Sequence, residues 1–320
     1  MDIGIETPSK RVLINSQGLG YYQFIHQLKP KYFLLWFHLL SGHAVLLLIA
    51  VTMVILGKKS TLGVLALSLI GGFLFGYTLA YIRLFFHEAS HYNIAKDKKL
   101  NDLLANIFIG SLFGDDIKNY RPIHYGHHRF HGLPEDTENS YFNPLNNRFI
   151  LESLSGIRVF NVLLNRRKRL ESMGVVTPGS SKLQAQFFIG IFLNLLILTA
   201  AFFLRSWELG ISWLIGLFFF FPFFLSIRQI LEHRDEFAKK TINYFKVKHG
   251  IVNRLFGDGP LAGTLGGAGF NRHLLHHWEP KIPYTRLKEF ENYLMDTPMA
   301  EILKKRQTTY VKTFRELFNR

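Results

Sequence analysis

Four apolar stretches, each long enough to cross a lipid bilayer as a helix, constrain the fold of this 320-residue chain most strongly. They cover residues 33–56, 62–86, 185–204 and 209–231. The short connections 57–61 and 205–208 pair them into two antiparallel hairpins. A fifth apolar run, residues 103–113, is too short to span and predicts an interfacial or re-entrant helix. The sequence therefore predicts an all-α integral membrane protein.

The distribution of lysine and arginine predicts how these hairpins are oriented. The two hairpin turns carry only Lys58, Lys59 and Arg205 of the 38 Lys and Arg residues. Because basic residues favour the cytoplasmic side, we expect both termini to face the cytoplasm. Residues 87–184 and 232–320 would then form a histidine-rich helical cap on that side, within a single domain 1–320. The basic run 166–169 could contact phosphate headgroups or an acidic partner.

Charge and cysteine content exclude several classes of protein. The net charge of +15 fits a membrane protein with basic residues next to anionic lipid, and no nucleic-acid partner is expected. The absence of cysteine excludes disulfides, Cys-ligated zinc, iron–sulfur clusters and a fused rubredoxin-like module. The polar segment before residue 33 does not look like a cleavable signal peptide, so we expect the first span to direct insertion.

Nine of the 14 histidines fall into four tight groups at the ends of the apolar stretches or in the polar segments. They are His87 and His91; His124, His127 and His128; His233; and His273, His276 and His277. Spacings of three and four residues place two rings on one helix face, so we expect the helix of the second span to continue through His87 and His91. Imidazole is a common metal ligand. Neighbouring histidines on a helix point about 100° apart and can reach different ions. The pattern predicts a two-metal site at the edge of the membrane.

Other interpretations explain fewer of these residues. The segment from His87 to His91 also matches the zinc protease pattern, but a protease would leave the other histidine groups without a role. A membrane metal carrier or sensor would distribute its ligands across the depth of the bilayer rather than on one side. Of the remaining histidines, His26, His131 and His249 are interpreted as surface residues, with a supporting role left open for His131. His38 and His43 are expected to hydrogen-bond between helices.

The three motifs His-x-x-x-His, His-x-x-His-His and His-x-x-His-His, in this order over two hydrophobic hairpins, resemble those of the membrane fatty acid desaturase superfamily. The resemblance extends from about residue 62 to residue 287. Residues 128–131 with the acidic residues that follow are similar to the second motif of the family. Residues 276–283 are similar to the third.

This resemblance implies the site residues and the metal. By the resemblance, all nine grouped histidines would bind two ferrous ions. The resemblance is needed to identify the metal as iron, because ligand affinity alone favours copper or zinc. Gln229 lies where some members carry an amide that touches one iron through water. Four carboxylates are suited to accept hydrogen bonds from imidazole N–H groups, or are solvated charges; they are Glu88, Asp136, Glu138 and Glu232.

The resemblance also implies the reaction. We expect an O₂-dependent desaturase that introduces a double bond into a fatty acyl chain, with hydroxylation at the same diiron site as the alternative. The acyl group could be carried by a lipid, coenzyme A or acyl carrier protein. No haem-binding segment is evident, so we expect a separate electron donor, either ferredoxin, rubredoxin or cytochrome b5 with its reductase. Chain length and the bond attacked are not indicated.

Overall fold

The computed structural model of the protein describes residues 6–57, 61–158, 161, 185–235 and 237–319. These residues are mainly helical and include no strand; two isolated bridges pair Ile14 with Gly20 and Leu255 with Gln307. Lys58 and Lys59 in the first predicted turn and the basic run 166–169 lie outside the described residues.

The helices of the described residues differ widely in length. In chain order they are α1 (Tyr21–Gln27), α2 (Tyr32–Leu56), α3 (Thr61–Ser90), α4 (Lys98–Ala105), α5 (Ser111–Phe113), α6 (Ile117–Phe130), α7 (Asn147–Leu154), α8 (Ala185–Phe203), α9 (Trp207–Ile215), α10 (Phe221–His233), α11 (Pro260–Thr264), α12 (His273–Trp278), α13 (Tyr284–Met295), α14 (Ala300–Lys305) and α15 (Tyr310–Phe318). Single turns of 3₁₀ helix occur at Lys10–Val12, Ser140–Phe142 and Phe270–Arg272. Two π-helical turns, Asn106–Gly110 and Gly216–Phe220, continue α4 into α5 and α9 into α10.

Four helices are long and apolar enough to cross a membrane. They are Tyr32–Leu56, Leu62–Ser90, Ala185–Phe203 and Trp207–His233, which we number spans 1 to 4. Each boundary lies within four residues of the predicted one. Large apolar side chains point outward from them, with Phe33 86% and Leu62 77% exposed, as expected for surfaces that contact lipid. The predicted class, an all-α membrane protein, is confirmed.

The fifth apolar run forms a short helical segment, α4 to α5, that is held by polar groups of the spans. The Nε2 atom of His43 in span 1 lies 2.9 Å from the carbonyl oxygen of Phe108. The amide of Asn194 in span 3 donates to the carbonyl of Leu112 at 3.2 Å. The hydrogen-bonding role predicted for His43 is therefore confirmed, and its partner is the short segment rather than another span.

The described residues group into two compact units. Unit 1 comprises Met1–Leu35, Tyr125–Pro144 and Arg228–Arg320, and unit 2 comprises Trp36–His124 and Leu145–Ile227. Each unit thus combines segments that are distant in the sequence. The single-domain organisation of residues 1–320 stays a prediction.

Unit 2 is built on close contacts between span 2 and span 4. Gly71 and Gly76 of α3 face Ser212 and the Phe220–Phe221 backbone; a Cβ atom at Gly76 would lie 2.8 Å from the nitrogen of Phe221. In the first hairpin, the Tyr81 hydroxyl donates to the carbonyl of His38 at 3.3 Å. Because glycine has no side chain, the backbones of span 2 and span 4 can approach closely at Gly71 and Gly76.

Unit 1 has its own hydrophobic core outside the spans. Its members come from the N-terminal segment (Leu13 and Tyr21), from α12 (Leu274, Leu275 and Trp278) and from α13 (Leu287, Phe290, Tyr293 and Leu294), with others. This core lies beneath the short helix that carries the third histidine motif.

Candidate metal centre

Three of the predicted ligands, His87, His91 and His124, form a cluster in unit 2. Their ring centroids are 4.3 to 5.2 Å apart, and the Nε2 atoms of His91 and His124 are separated by 2.9 Å. His87 lies in the last turn of α3, and His124 lies on α6. We expected α3 to carry His91 as well, but that helix ends at Ser90 because Tyr92 adopts a left-handed conformation with φ 62°.

The end of α3 is held by the buried side chain of Arg121. Its guanidinium donates to the carbonyl of Ser90 at 2.9 Å and to that of Ala89 at 3.3 Å, and it pairs with the carboxylate of Asp102. The last carbonyls of a helix lack partners within the helix, so these bonds fix the turn from which His91 projects. Burial, with a contribution from the charge of Arg121, lowers the pKa of His91 to about 3, which keeps its imidazole neutral.

A larger cluster of seven buried histidines lies in unit 1. Its members are His127, His128, His131, His233, His273, His276 and His277. His127, His131, His233 and His277 each offer a ligand atom, and these four atoms lie within 4.8 Å of one another. Within unit 1 the structure therefore brings together two histidines of the second motif, His127 and His128, the three of the third motif, and His233, which ends span 4.

The ring nitrogens in this cluster converge on one another. The Nε2 atom of His273 lies 3.0 Å from that of His233 and 3.1 Å from that of His277, and the Nε2 atoms of His128 and His276 are 2.9 Å apart. His233 donates from Nδ1 to the carbonyl of Val252 at 3.2 Å, so in the neutral ring its Nε2 carries a lone pair. A metal ion between such ring nitrogens would accept their lone pairs.

The spacing of these nitrogens suits a metal ion. Metal–imidazole bonds are about 2.1 Å long, so two such ligands at right angles place their nitrogens about 3.0 Å apart. The observed separations of 2.9 to 3.1 Å agree with this value. Burial and the neighbouring histidines lower the pKa of His277 and of His273, which keeps both rings in the neutral form that binds metals. The clusters can bind metal ions through nitrogen alone.

His127 is oriented by a fully buried carboxylate. Its Nδ1 donates to Asp136 at 2.8 Å and 3.1 Å, which leaves Nε2 available to a metal. Burial alone would lower the pKa of His127, but the Asp136 carboxylate outweighs burial and raises it. Burial likewise opposes ionisation of Asp136, yet His127 and its hydrogen bonds hold the pKa of that carboxyl well below its usual range.

Tyr141 supports the same carboxylate and was missed by the sequence analysis. Its buried hydroxyl donates to Asp136 at 2.6 Å and accepts a hydrogen bond from the backbone N–H of Gly132 at 2.9 Å. Burial and the Asp136 charge raise the pKa of Tyr141, so the phenol stays protonated and donates. A Tyr five residues after the aspartate carries no local signal of this role.

His131 is buried, which corrects its interpretation as a surface residue and agrees with the supporting role that was left open for it. It is 4% exposed and lies in the unit 1 cluster, with Nε2 donating to the carbonyl of Val252 at 3.3 Å. Its position four residues after His127 was the available signal, since that spacing places two rings on one side of a helix, and α6 ends only one residue earlier, at Phe130. His26 is exposed, as predicted, whereas His249 is partly buried and accepts a hydrogen bond from the backbone of Asp235.

The remaining predicted residues also have defined positions. An oxygen of Glu88, which is 1% exposed, lies 3.5 Å from His87 Nδ1 in unit 2. In unit 1, Glu232 is 1% exposed and offers an oxygen within 4.8 Å of ligand atoms of His233 and His273. The buried Nδ1 of His273 has no hydrogen-bond partner among the described residues. The side-chain amide of Gln229 donates a hydrogen bond to the backbone carbonyl of Glu138 rather than to its carboxylate.

Comparison with known proteins identifies the family. Residues 61–310 match the family model described as fatty acid desaturase. The chain belongs to the fatty acid desaturase family. No curated protein shows a significant match to the chain. The desaturase match covers all four histidine groups and confirms the resemblance based on their spacing.

Membership of the desaturase family gives the protein an oxidoreductase function of the desaturase or hydroxylase type. The family implies a fatty acyl substrate, and the four apolar spans place the protein in a membrane. The zinc protease and metal carrier interpretations are therefore not needed to explain the residues from His87 to His91. Groups of the protein's histidines in the described residues could hold metal ions.

Proposed function

We propose that the protein is an O₂-dependent diiron desaturase that introduces a double bond into a fatty acyl chain. The observation that carries the proposal is the convergence of histidines, all buried or partly buried, on nitrogen-to-nitrogen distances that suit metal ligation, in a member of the desaturase family. Thiolate ligands are absent because the chain has no cysteine.

Nine histidines would hold two iron ions in this proposal. They are His87, His91, His124, His127, His128, His233, His273, His276 and His277. Iron supplies, when bound, the reductive activation of O₂ that breaks an unactivated C–H bond. His131 lies among these rings, but both of its nitrogens face protein oxygens, of Val252 and of Tyr141 or Asp136. We therefore assign it a supporting role.

Buried carboxylates would orient the ligands. A ligand histidine commonly donates its other ring N–H to a carboxylate, which fixes the ring and raises its basicity. Asp136 does this for His127, and we assign the same role to Glu88 at His87 and to Glu232 at His273. Glu138 contributes its backbone carbonyl, which accepts a hydrogen bond from the side-chain amide of Gln229. The oxygen of that amide is then the atom that would accept a hydrogen bond from a water beside the iron.

The protein surroundings would keep the site dry. None of the seven unit 1 histidines exposes more than 7% of its surface, and the three in unit 2 are buried or partly buried. Exclusion of bulk water strengthens electrostatic interactions and protects a reactive oxidant from side reactions. The apolar spans are suitable walls for an acyl chain.

Orientation and partners follow from charge and composition. With basic residues favouring the cytoplasmic side, the metal centre and both termini would face the cytoplasm. The acyl substrate would arrive on a lipid, on coenzyme A or on acyl carrier protein. Electrons would come from a separate donor, either ferredoxin, rubredoxin or cytochrome b5 with its reductase, and cytoplasmic lysine and arginine side chains would attract an acidic donor.

Metal analysis of protein produced with iron tests the proposal, together with fatty acid profiling of cells with and without the gene. We expect two irons per chain and new unsaturated acyl chains. His128→Ala and His277→Ala should abolish product formation, whereas His26→Ala, which changes an exposed histidine, should not. Fewer than two irons per chain, or unchanged activity after His277→Ala, would contradict the diiron assignment.

Mass spectrometry of the product separates the two outcomes that the family allows. Loss of two hydrogens identifies desaturation. Gain of one oxygen identifies hydroxylation and would replace the proposed reaction while keeping the metal centre.

A further inference from the structure

The third histidine motif lies on a helix that is too short to be stable by itself. Helix α12 has six residues and carries His273, His276 and His277. Isolated helices of fewer than about 12 residues are marginal in water, so tertiary contacts must hold α12 in place. Its other face carries Leu274, Leu275 and Trp278, which enter the unit 1 core. The position of three proposed ligands therefore depends on whatever packs against that apolar face.

An N-terminal strap, residues 9–31, packs against the C-terminal end of α12. The Nζ atom of Lys10 lies 2.7 Å from Oε2 of Glu279, and the Tyr21 hydroxyl donates to the same oxygen at 2.7 Å. Lys10 also donates to the carbonyl of Trp278 at 3.4 Å. Glu279 is the residue that terminates α12, so the strap binds this helix at its last carbonyl and its terminal side chain.

Aromatic packing adds to these polar contacts. Lys10 lies 5.2 Å from the centre of the Trp278 ring and 5.4 Å from that of Tyr21. Tyr21 in turn contacts Trp278, and Trp278 stacks on Phe290 of α13. A cation near a helix C-terminus interacts favourably with the helix dipole and its free carbonyls. Lys10 donates hydrogen bonds to both the Trp278 carbonyl and the Glu279 carboxylate at the C-terminal end of α12.

Other strap contacts reach α13 and its C-terminal end and avoid α12. Lys31 pairs with Glu289 at 2.5 Å, and Ser16 donates to Asp296 at 2.6 Å. Tyr293 donates to the carbonyls of Leu13 and Leu19 and stacks on Phe24. The strap therefore remains attached when a single contact to Glu279 is removed. The Lys31–Glu289 pair provides a matched ion pair that does not touch the histidine helix.

We propose that the N-terminal strap positions the third histidine motif for metal binding, with Lys10 and Tyr21 as positioning residues that act through Glu279. The proposal rests on the proposed metal function of the histidines. The strap is more than 250 residues away in sequence from the helix that it holds, as the Tyr21–Glu279 separation of 258 shows. Loosening the end of α12 moves the imidazoles of His276 and His277 away from the arrangement that binds a metal.

Metal affinity of the full-length protein in detergent tests this role. Co²⁺ serves as the probe, with affinity measured by competition with a chelator and ligand geometry by visible absorption. We expect Lys10→Met and Tyr21→Phe to weaken Co²⁺ binding about tenfold. This is near the lower end of the loss of metal affinity seen when residues that hydrogen-bond to metal ligands are changed. Both substitutions should also change the visible absorption bands of the bound Co²⁺. Lys10→Arg should restore affinity, and Lys31→Met should bind as the unchanged protein does.

Each outcome has a defined meaning. Equal losses of Co²⁺ affinity in Lys10→Met and Lys31→Met would show a general effect on stability and would overturn the proposal. Unchanged Co²⁺ affinity in both Lys10→Met and Tyr21→Phe would also overturn it. If Lys10→Met does not fold, Glu279→Gln keeps both strap residues and should weaken binding; unchanged binding would again overturn it. Absence of Co²⁺ binding by the unchanged protein would overturn the proposed function itself, a result distinct from a failure of the strap alone.

Discussion

The two units hold their histidines in different ways. In unit 2, His87 projects from the end of a 30-residue helix whose glycines allow close packing against span 4. In unit 1, seven histidines from several separate elements lie among buried charged groups, including Asp136, Glu232 and Arg234. Close packing of apolar helices therefore contributes most in unit 2, whereas the histidines of unit 1 depend more on buried hydrogen bonds, which are costly to leave unsatisfied. Substitutions of each kind should affect the two units differently.

The largest effect is expected from Gly76→Ala in unit 2. A Cβ atom there would meet the backbone of Phe221 at 2.8 Å, which cannot move away as a flexible side chain can. Overpacking of this kind costs about 3 kcal/mol, and we expect much less folded protein in detergent, measured by denaturant unfolding. Gly210→Ala is the control, because its nearest neighbour would be at an ordinary 3.5 Å. Equal stability of the two variants would contradict the role given to close helix packing.

The next largest effect is expected from Asp136→Asn in unit 1. The amide cannot replace a carboxylate that accepts from His127 and Tyr141, so metal affinity should fall about 10- to 100-fold. Competition with a chelator measures it. Glu88→Gln, at the longer distance of 3.5 Å from His87 Nδ1, should cost less than Asp136→Asn. A larger loss in Glu88→Gln would reverse the comparison between the units.

Tyr141→Phe should have an intermediate effect. It removes the hydroxyl that donates to Asp136 while keeping the ring, and it leaves the Gly132 N–H without its acceptor. Loss of this hydrogen bond costs about 1–2 kcal/mol, seen as lower thermal stability and weaker metal binding. Tyr244→Phe, which removes a hydroxyl bonded to the backbone of Lys239, should leave metal binding unchanged. Weaker metal binding in Tyr244→Phe would contradict a specific role for Tyr141.

The smallest effect concerns the sensitivity of unit 1 to acid. Burial lowers the pKa of His249 from its ordinary 6.5 to about 4, so below pH 6.5 the unfolded chain takes up a proton before the folded one. Stability at this site is therefore lost as the pH falls from 6.5 towards 4. His249→Gln should reduce the loss of unfolding free energy between pH 7 and pH 4.5 by on the order of 1 kcal/mol, measured by denaturant unfolding at the two pH values. An unchanged loss would show that His249 titrates normally.

The sequence predicted unit 2 better than unit 1 for a physical reason. Apolar length is a local property, so all four spans and the short segment at residues 103–113 were predicted correctly. The end of α3 was misplaced because the left-handed Tyr92 and the Arg121 contacts depend on the folded structure. The spacing of the histidines indicated the family, and the family match agrees with that pattern. It did not indicate which rings meet, since His124 lies beside His87 and His91 rather than with its sequence neighbours.

The parts that the sequence did not predict are long-range polar contacts. Tyr141, the burial of His131 and the strap each depend on partners brought together by folding, such as Val252 for His131 and Glu279 for Tyr21. Neither hydropathy nor local spacing encodes such pairs. Only the separation of four residues between His127 and His131 offered a clue, and it was outweighed by the expectation that a lone histidine lies at the surface.

The pairing of Lys10 with Glu279 also bears on how this protein is made. At a synthesis rate of about 5–20 residues per second, roughly 13–50 s pass between the emergence of these two residues from the ribosome. During that interval the spans can enter the membrane, while the early segment has no binding surface to join. Under the proposed function, the last histidine group would therefore be positioned for metal only after Glu279 has been made, when all four spans have already been synthesised.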